Sequence, residues 1–410
     1  MNNMKKILSL LLAFVLVLGL AACGETTKKE DPAKEDAANK GEAKEEPAKE
    51  EPAKEDDKKE DEKAPAKEGE KLTLDDNSLF LITDEGTIDD KSFNQGSFEG
   101  LKQYAEEAGV KANYLKPAGK GDQLYKQAID QAIQKGAKIV VTPGFYFENP
   151  IWQAQKQYPE IKFIGVDFAP KENQDAEPEI AKNTVSVMFK EEQSGYLAGY
   201  AAVKDGYTKL GFMGGYPVPA VVRFGFGFVA GADAAAKELK TNVEVKFNYT
   251  NSFEAKPEIQ TMAAAWYKNG TEVIFSCGGG IAASVAKAAE VSDAKMIGVD
   301  VDQKDLSKTV ITSAMKNLKP AVYDSVKAAV EGGFKGGETA TYGVESKGVQ
   351  ISEDFSRFKT FKKADYEAEY AKLEKNEDGI TDAIPNDISD INPKSFEKKV
   401  PNVKIDFIEQ

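Results

Sequence analysis

The chain has 410 residues, 54 basic against 68 acidic, a formal net charge of −14 and no histidine. The missing imidazole removes His-based acid–base catalysis, Ser-His-Asp triads and His-ligated metal sites. The acidic balance argues against nucleic acid as a partner, because phosphate binding needs a basic patch.

At the N-terminus Lys5 and Lys6 precede an apolar run from Ile7 to Ala22. At 16 residues that run is shorter than the roughly 20 that span a bilayer as a helix, so residues 1–22 read as a signal peptide. The run ends in Leu20-Ala-Ala-Cys23, which resembles the lipobox of bacterial lipoproteins. The resemblance implies a diacylglyceryl group on the Cys23 thiol and lipid anchoring on the extracytoplasmic face of the cell membrane. Two or three acyl chains on one residue give stable attachment, where one would be marginal. The other cysteine is Cys277. With Cys23 acylated no internal disulfide is possible, and the core must stand on burial alone.

Residues 23–71 read as a tether. Near-repeats begin at Pro32, Pro47 and Pro52 (Pro-Ala-Lys-Glu-Asp/Glu), and residues 24–70 hold 18 acids against 11 lysines, half of the net charge. Such composition cannot bury apolar surface.

From residue 79 the pattern becomes βα units. Strand-type runs occur at Leu79–Thr83, Val110–Leu115, Lys138–Thr142 and Ile161–Asp167, with helical stretches near Phe93–Ala108, Asp122–Lys135 and Asn149–Gln157. A second series of strands follows at Thr184–Met188, Lys209–Gly214, Val243–Tyr249, Glu272–Ser276, Lys295–Val299 and Thr309–Ala314. Helices at about 190–204, 221–239, 256–269 and 280–290 separate them. Short apolar strands alternating with helices predict an α/β fold with parallel sheets covered on both faces. Two such series predict two lobes: 72–183 with about 310–340, and 184–309 with about 341–410. Ligands of open α/β sheets sit beyond the strands' C-terminal ends, so site residues are expected just after strands.

Those positions carry unusual residues. Leu81-Ile-Thr-Asp-Glu-Gly-Thr-Ile-Asp-Asp-Lys-Ser-Phe-Asn-Gln95 follows the first strand. Gly144-Phe-x-Phe147, Val166-Asp167, Gly195-x-x-Ala-Gly199, Gly225-x-Gly-Phe-x-x-Gly231, Ile297-Gly-Val-Asp-x-Asp-Gln303 and Thr312-Ser-Ala-Met-Lys316 follow in order. The set resembles the basic membrane protein family of lipoproteins, in its purine nucleoside receptor branch, over about residues 79–345. The resemblance implies a type I periplasmic-binding-protein-like fold, not an enzyme, working with ABC permease and ATPase subunits and needing no cofactor or metal.

It also implies roles. Phe93 and Phe253 sandwich a purine, a stacking contact worth about 1–3 kcal/mol per base. Asp300 accepts both ribose hydroxyls, Lys316 contacts the ribose, and Gly279 offers backbone close to the sugar. Asn94, beside Phe93, belongs to the same site, with Asp84 and Asp167 adding polarity. Where the family places an Asp that reads the base edge, Asn149 stands here. An amide both donates and accepts, unlike a carboxylate, which leaves the preferred base open. A sugar ligand, or an adhesin or signalling role for the same fold, is the alternative. The Gly225–Gly231 run is spaced wrongly for a dinucleotide fingerprint and reads as helix packing. The tail after about 346 does not match the family.

Overall fold

The computed structural model describes Gly69 and residues 71–409, and the signal segment, Cys23 and most of the tether lie outside the described residues. The first series gives β1 (Leu79–Ile82), α1 (Phe93–Ala108), β2 (Ala112–Leu115), α2 (Asp122–Gln134), β3 (Ile139–Pro143), α3 (Glu148–Gln157), β4 (Lys162–Val166) and β5 (Thr184–Phe189). The second gives α4 (Glu191–Lys204), β6 (Lys209–Gly214), α5 (Pro219–Leu239), β7 (Val243–Tyr249), α6 (Pro257–Lys268), β8 (Val273–Cys277), α7 (Ile281–Ser292), β9 (Lys295–Asp300) and β10 (Val310–Lys316). Then follow α8 (Leu318–Glu331), β11 (Thr339–Tyr342), β12 (Val349–Ile351), α9 (Lys363–Glu374), α10 (Ile380–Ala383) and β13 (Val403–Phe407).

Local chemistry sets many boundaries. Pro219 and Pro257 open α5 and α6, where a missing N–H costs nothing. Gly109 closes α1 at φ +69°, a left-handed cap that suits glycine. Strands β1, β3, β4 and β8 are buried at every residue, as a parallel sheet covered on both faces requires.

Two sheets result. One runs β11-β5-β4-β3-β1-β2 and the other β12-β10-β9-β8-β6-β7-β13. All neighbours are parallel except β12 against β10. The expected lobe boundaries need correction. Residues 184–189, expected to open the second lobe, continue the first sheet, with Phe163 opposite Thr184 and Val166 opposite Val187. Residues 310–316, expected in the first lobe, pair with β9 in the second sheet. In each case a buried run extends the register of a parallel neighbour, and chain order does not reveal which sheet it joins. Helix α8 does return to pack on α1 of the first lobe, and α9 packs on α4 of the second.

The chain therefore passes between lobes near Lys190, near Asn317 and over 343–348. These crossings are laced together: Lys190 N–H donates to the Tyr342 carbonyl (2.9 Å), Asn317 N–H to the Gly348 carbonyl (2.8 Å), and Val344 N–H to Gln193 Oε1 (2.8 Å). Helices α4 and α5 cross with their backbones nearly touching. A Cβ added at Gly195, Gly199, Gly227 or Gly231 would lie 1.9–2.1 Å from a carbonyl oxygen of the facing helix. That is the packing role expected for Gly227 and Gly231.

Candidate ligand-binding site

In the first sheet the strand order reverses between β1 and β3, and in the second between β6 and β8. The loops after these four strands converge on one cleft of about 460 Å³, lined from both lobes by Asp84, Glu85, Asp90, Phe93, Asn94, Phe253, Cys277, Gly279, Asp300 and Lys316 among others. A narrow extension of about 60 Å³ adds Phe145, Tyr146 and Asp167 and is again bordered by Phe93 and Phe253. This is where open α/β sheets take their ligands.

The loop after β1 is held by its own acids. Asn94 Nδ2 donates to Asp84 Oδ1 and Asp90 Oδ2, each at 2.8 Å, and Asn94 Oδ1 accepts from the Asp84 N–H at 3.2 Å. Asn94 thus fixes Asp84, with both of its own donor bonds spent inside the loop. Burial pushes the Asp84 carboxyl up to about 6, against the bonds from Gly86 and Asn94 that favour its ionised form. Phe93 leaves this loop half-buried. Phe253, from the loop after β7, is likewise half-buried and is braced edge-on by Tyr216 at 5.2 Å between ring centres.

At the floor the same four residues recur, Ile164-Gly-Val-Asp167 running one residue past the end of β4 and Ile297-Gly-Val-Asp300 closing β9. Both aspartates turn into the left-handed region, at φ +65° and +67°, which Asp tolerates better than most residues. They flank the buried Lys316 at the end of β10. Its Nζ pairs with Asp167 and lies 3.4 Å from Asp300 Oδ1 and 3.7 Å from Glu191 Oε1. It also sits 4.4 Å from the centre of the Phe93 ring. Burial alone would lower the Lys316 pKa, but Asp167, Asp300 and Glu191 outweigh it and hold the ammonium well above its usual value. Burial pushes Asp167 up to about 7, opposed by Lys316, and pushes Glu192 up to about 7 with help from Glu191. Arg223 Nε anchors Glu191 from beneath at 2.7 Å. Cys277 is a buried thiol whose pKa is raised by burial, which makes it unreactive.

Of the expected residues, Asp84, Phe93, Asn94, Asp167, Phe253, Gly279, Asp300 and Lys316 come together here. Asn149 does not. It lies in the first turn of α3, where its side-chain amide donates to the Glu172 carbonyl and accepts from Gln153. The expectation that Asn149 faces the ligand needs correction: local amide bonding holds it outside the cleft lining. Sequence reasoning missed Glu191, Arg223 and a rim bridge. Lys120 Nζ of the first lobe pairs with Glu85 (2.7 Å) and donates to the Tyr216 hydroxyl of the second (3.3 Å). The doubled Ile-Gly-Val-Asp was the available signal for the paired floor aspartates.

Two parallel α/β lobes around a cleft that draws side chains from both define a two-lobed solute receptor. The family model for "ABC transporter substrate-binding protein PnrA-like" matches residues 78–382. The ABC transporter nucleoside-binding protein BmpA of Lactococcus lactis subsp. cremoris is 31% identical over 297 residues, 67% of this chain and 81% of that protein. An uncharacterized lipoprotein of Pyrococcus abyssi is 26% identical over 342 residues, 80% of each chain. Among solved structures, an ABC transporter solute-binding protein of Aeropyrum pernix K1 superposes with a TM-score of 0.67 at 24% identity, covering 79% of this chain and 97% of that one. The chain belongs to the PnrA-like family of ABC transporter substrate-binding proteins. No helix among the described residues is long and apolar enough to cross a membrane.

Proposed function

We propose that this chain is a lipoprotein, anchored through Cys23 on the extracytoplasmic face of the membrane, that captures purine nucleosides for an ABC permease and its ATPase. The observation that carries this reading is that Phe93 and Phe253 come from opposite lobes to border one cleft. Asp300 and Lys316 stand at its floor. A flat base buries both faces between the rings, while the ribose hydroxyls donate to Asp300. Binding then favours closure, because each lobe supplies one wall. Asp84, Gly279 and Asp167 line the remaining surface. The name of the Lactococcus relative as nucleoside-binding supports the ligand class, and the lipobox-like Leu20–Cys23 supports the anchor.

The test is a thermal-shift screen of purified residues 72–410 against nucleosides, free bases, sugars and amino acids. A true ligand at about 100 times its Kd adds about 2.7 kcal/mol of stability. A shift with purine nucleosides and no turnover is expected. A shift only with sugars or amino acids defeats the proposal.

A further inference from the structure

The loop that presents Phe93 divides its labour in an unexpected way. Ser92 stands at the N-cap of α1, where a serine hydroxyl ordinarily accepts from an N–H of the first helical turn. It makes no such bond. Asp90 caps the helix instead, accepting from the Asn94 N–H at Oδ2 and from the Gln95 N–H at Oδ1, each at 3.1 Å. The freed Ser92 hydroxyl crosses from the first lobe to the second and donates to Asp300 Oδ2 at 2.6 Å, fully buried.

A second bridge lies beside it. Gln303 Nε2 donates to the Lys91 carbonyl at 2.8 Å, while its Oε1 accepts from the Val299 N–H at 3.0 Å. The amide fits because Gly298 has no side chain; a Cβ there would lie 2.6 Å from Gln303 Oε1. Both Ser92 and Gln303 belong to the segments that mark the site in the sequence, yet neither borders the cleft as a contact for the ligand.

The lone pairs of Asp300 say what the Ser92 bond does. A carboxylate has about four acceptor positions, two on each oxygen. Ser92 fills one on Oδ2, and the Lys316 ammonium, 3.4 Å away, faces Oδ1. One position on each oxygen is left, and Asp300 borders the cleft. Two adjacent acceptors match two adjacent hydroxyl donors. Without the serine the carboxylate is free to turn about its terminal torsion, which has only broad preferences.

We infer that Ser92 is a positioning residue that sets the rotation of the Asp300 carboxylate for a vicinal diol, with Gln303 holding the same loop at Lys91. The site thereby distinguishes ribonucleosides from 2′-deoxyribonucleosides through a residue of the opposite lobe. This inference rests on the nucleoside-receptor reading above. A purely structural Ser92 would affect every ligand alike, whereas a positioning Ser92 alters the preference for the diol.

The test is calorimetric titration of the full chain in detergent with guanosine and with 2′-deoxyguanosine. With the carboxylate free to turn, Ser92→Ala should weaken guanosine binding about tenfold, about 1.4 kcal/mol. Since the deoxynucleoside offers one hydroxyl fewer, its loss should be smaller and the ribo-to-deoxy preference should shrink several-fold. Ser92→Thr, which keeps the hydroxyl, should retain the preference. In an Asp300→Asn background Ser92→Ala should leave it unchanged. Should Ser92→Ala fail to fold, Gln303→Met is read the same way, with a reduced preference expected. An equal loss for both nucleosides overturns the inference while leaving the receptor reading intact. If wild-type protein does not bind guanosine, the same pairs of inosine and adenosine are titrated, and binding of no purine nucleoside overturns both.

Discussion

Lys316→Met tests the electrostatics of the cleft floor. The substitution keeps most of the side chain's length and removes one buried positive charge among Asp167, Asp300 and Glu191, the last two at 3.4 and 3.7 Å. Removing one partner of a buried ion pair costs about 3–5 kcal/mol, because the remaining charge stays buried and uncompensated. Here the cost has an escape route. Asp167 titrates at about 7 even with the lysine beside it, so without the lysine it holds its proton to still higher pH. Unfolded, the same carboxyl ionises near 3.9. Between those two values the folded form binds a proton that the unfolded form has lost, so stability falls as pH rises, by at most about 1.4 kcal/mol per unit. In the wild type that fall ends near pH 7; in the variant it continues above. The gap between them should therefore be modest at pH 6 and approach about 4 kcal/mol at pH 8.5. Urea unfolding of both proteins without ligand at the two pH values measures it. A destabilisation equal at pH 6 and 8.5, or none at pH 8.5, refutes this account of the floor.

Other outcomes follow from the same contacts. Phe93→Ala should weaken nucleoside binding by about 1–3 kcal/mol, one stacking face, while the unliganded melting temperature stays nearly unchanged because the ring is only half-buried; titration and thermal melts check the two halves. Burial raises Asp84 to about 6 and Glu192 to about 7, so wild-type stability without ligand should decline between about pH 4.5 and 7, and denaturant midpoints across that range test it. If Asp84 meets the amino edge of a guanine, guanosine affinity should drop below about pH 6 as the carboxylate gains a proton and loses its acceptor capacity; a flat affinity from pH 5 to 8 removes Asp84 from base reading. Gly231→Ala places a Cβ 1.9 Å from the Tyr196 carbonyl oxygen and should cost about 3 kcal/mol or prevent folding, read as a lowered melting temperature.

The strands and helices up to Lys316 were legible because they are short, mostly apolar runs or amphipathic stretches, several with a start or stop signal such as Pro219, Pro257 and Gly109. Their assignment to sheets was not. Strand β5 precedes a crossing at Lys190, and β10 precedes another at Asn317, but a buried strand looks alike in either sheet. The residues that lace the crossings, among them Gln193 and Gly348, are unremarkable in composition. The tail was unreadable for a related reason: β13 is a half-exposed edge strand whose partner, β7, lies about 160 residues earlier in the chain.

The site was more legible than the topology because its residues follow strands and belong to types that stack or pair with hydroxyls. Asn149 shows the limit of that reasoning. Alignment places it by sequence distance from Phe147, yet one further residue into α3 rotates a side chain by about 100° about the axis of a 3.6-residue helix, enough to turn it to Glu172 and Gln153. Ser92 shows the opposite case. It stands at the N-cap position of α1, yet Asp90 has taken the cap and the serine bonds to the other lobe. In both residues, where the side chain ends up depends on which local bond is already satisfied, a matter of three-dimensional competition among neighbours that spacing along the chain does not encode.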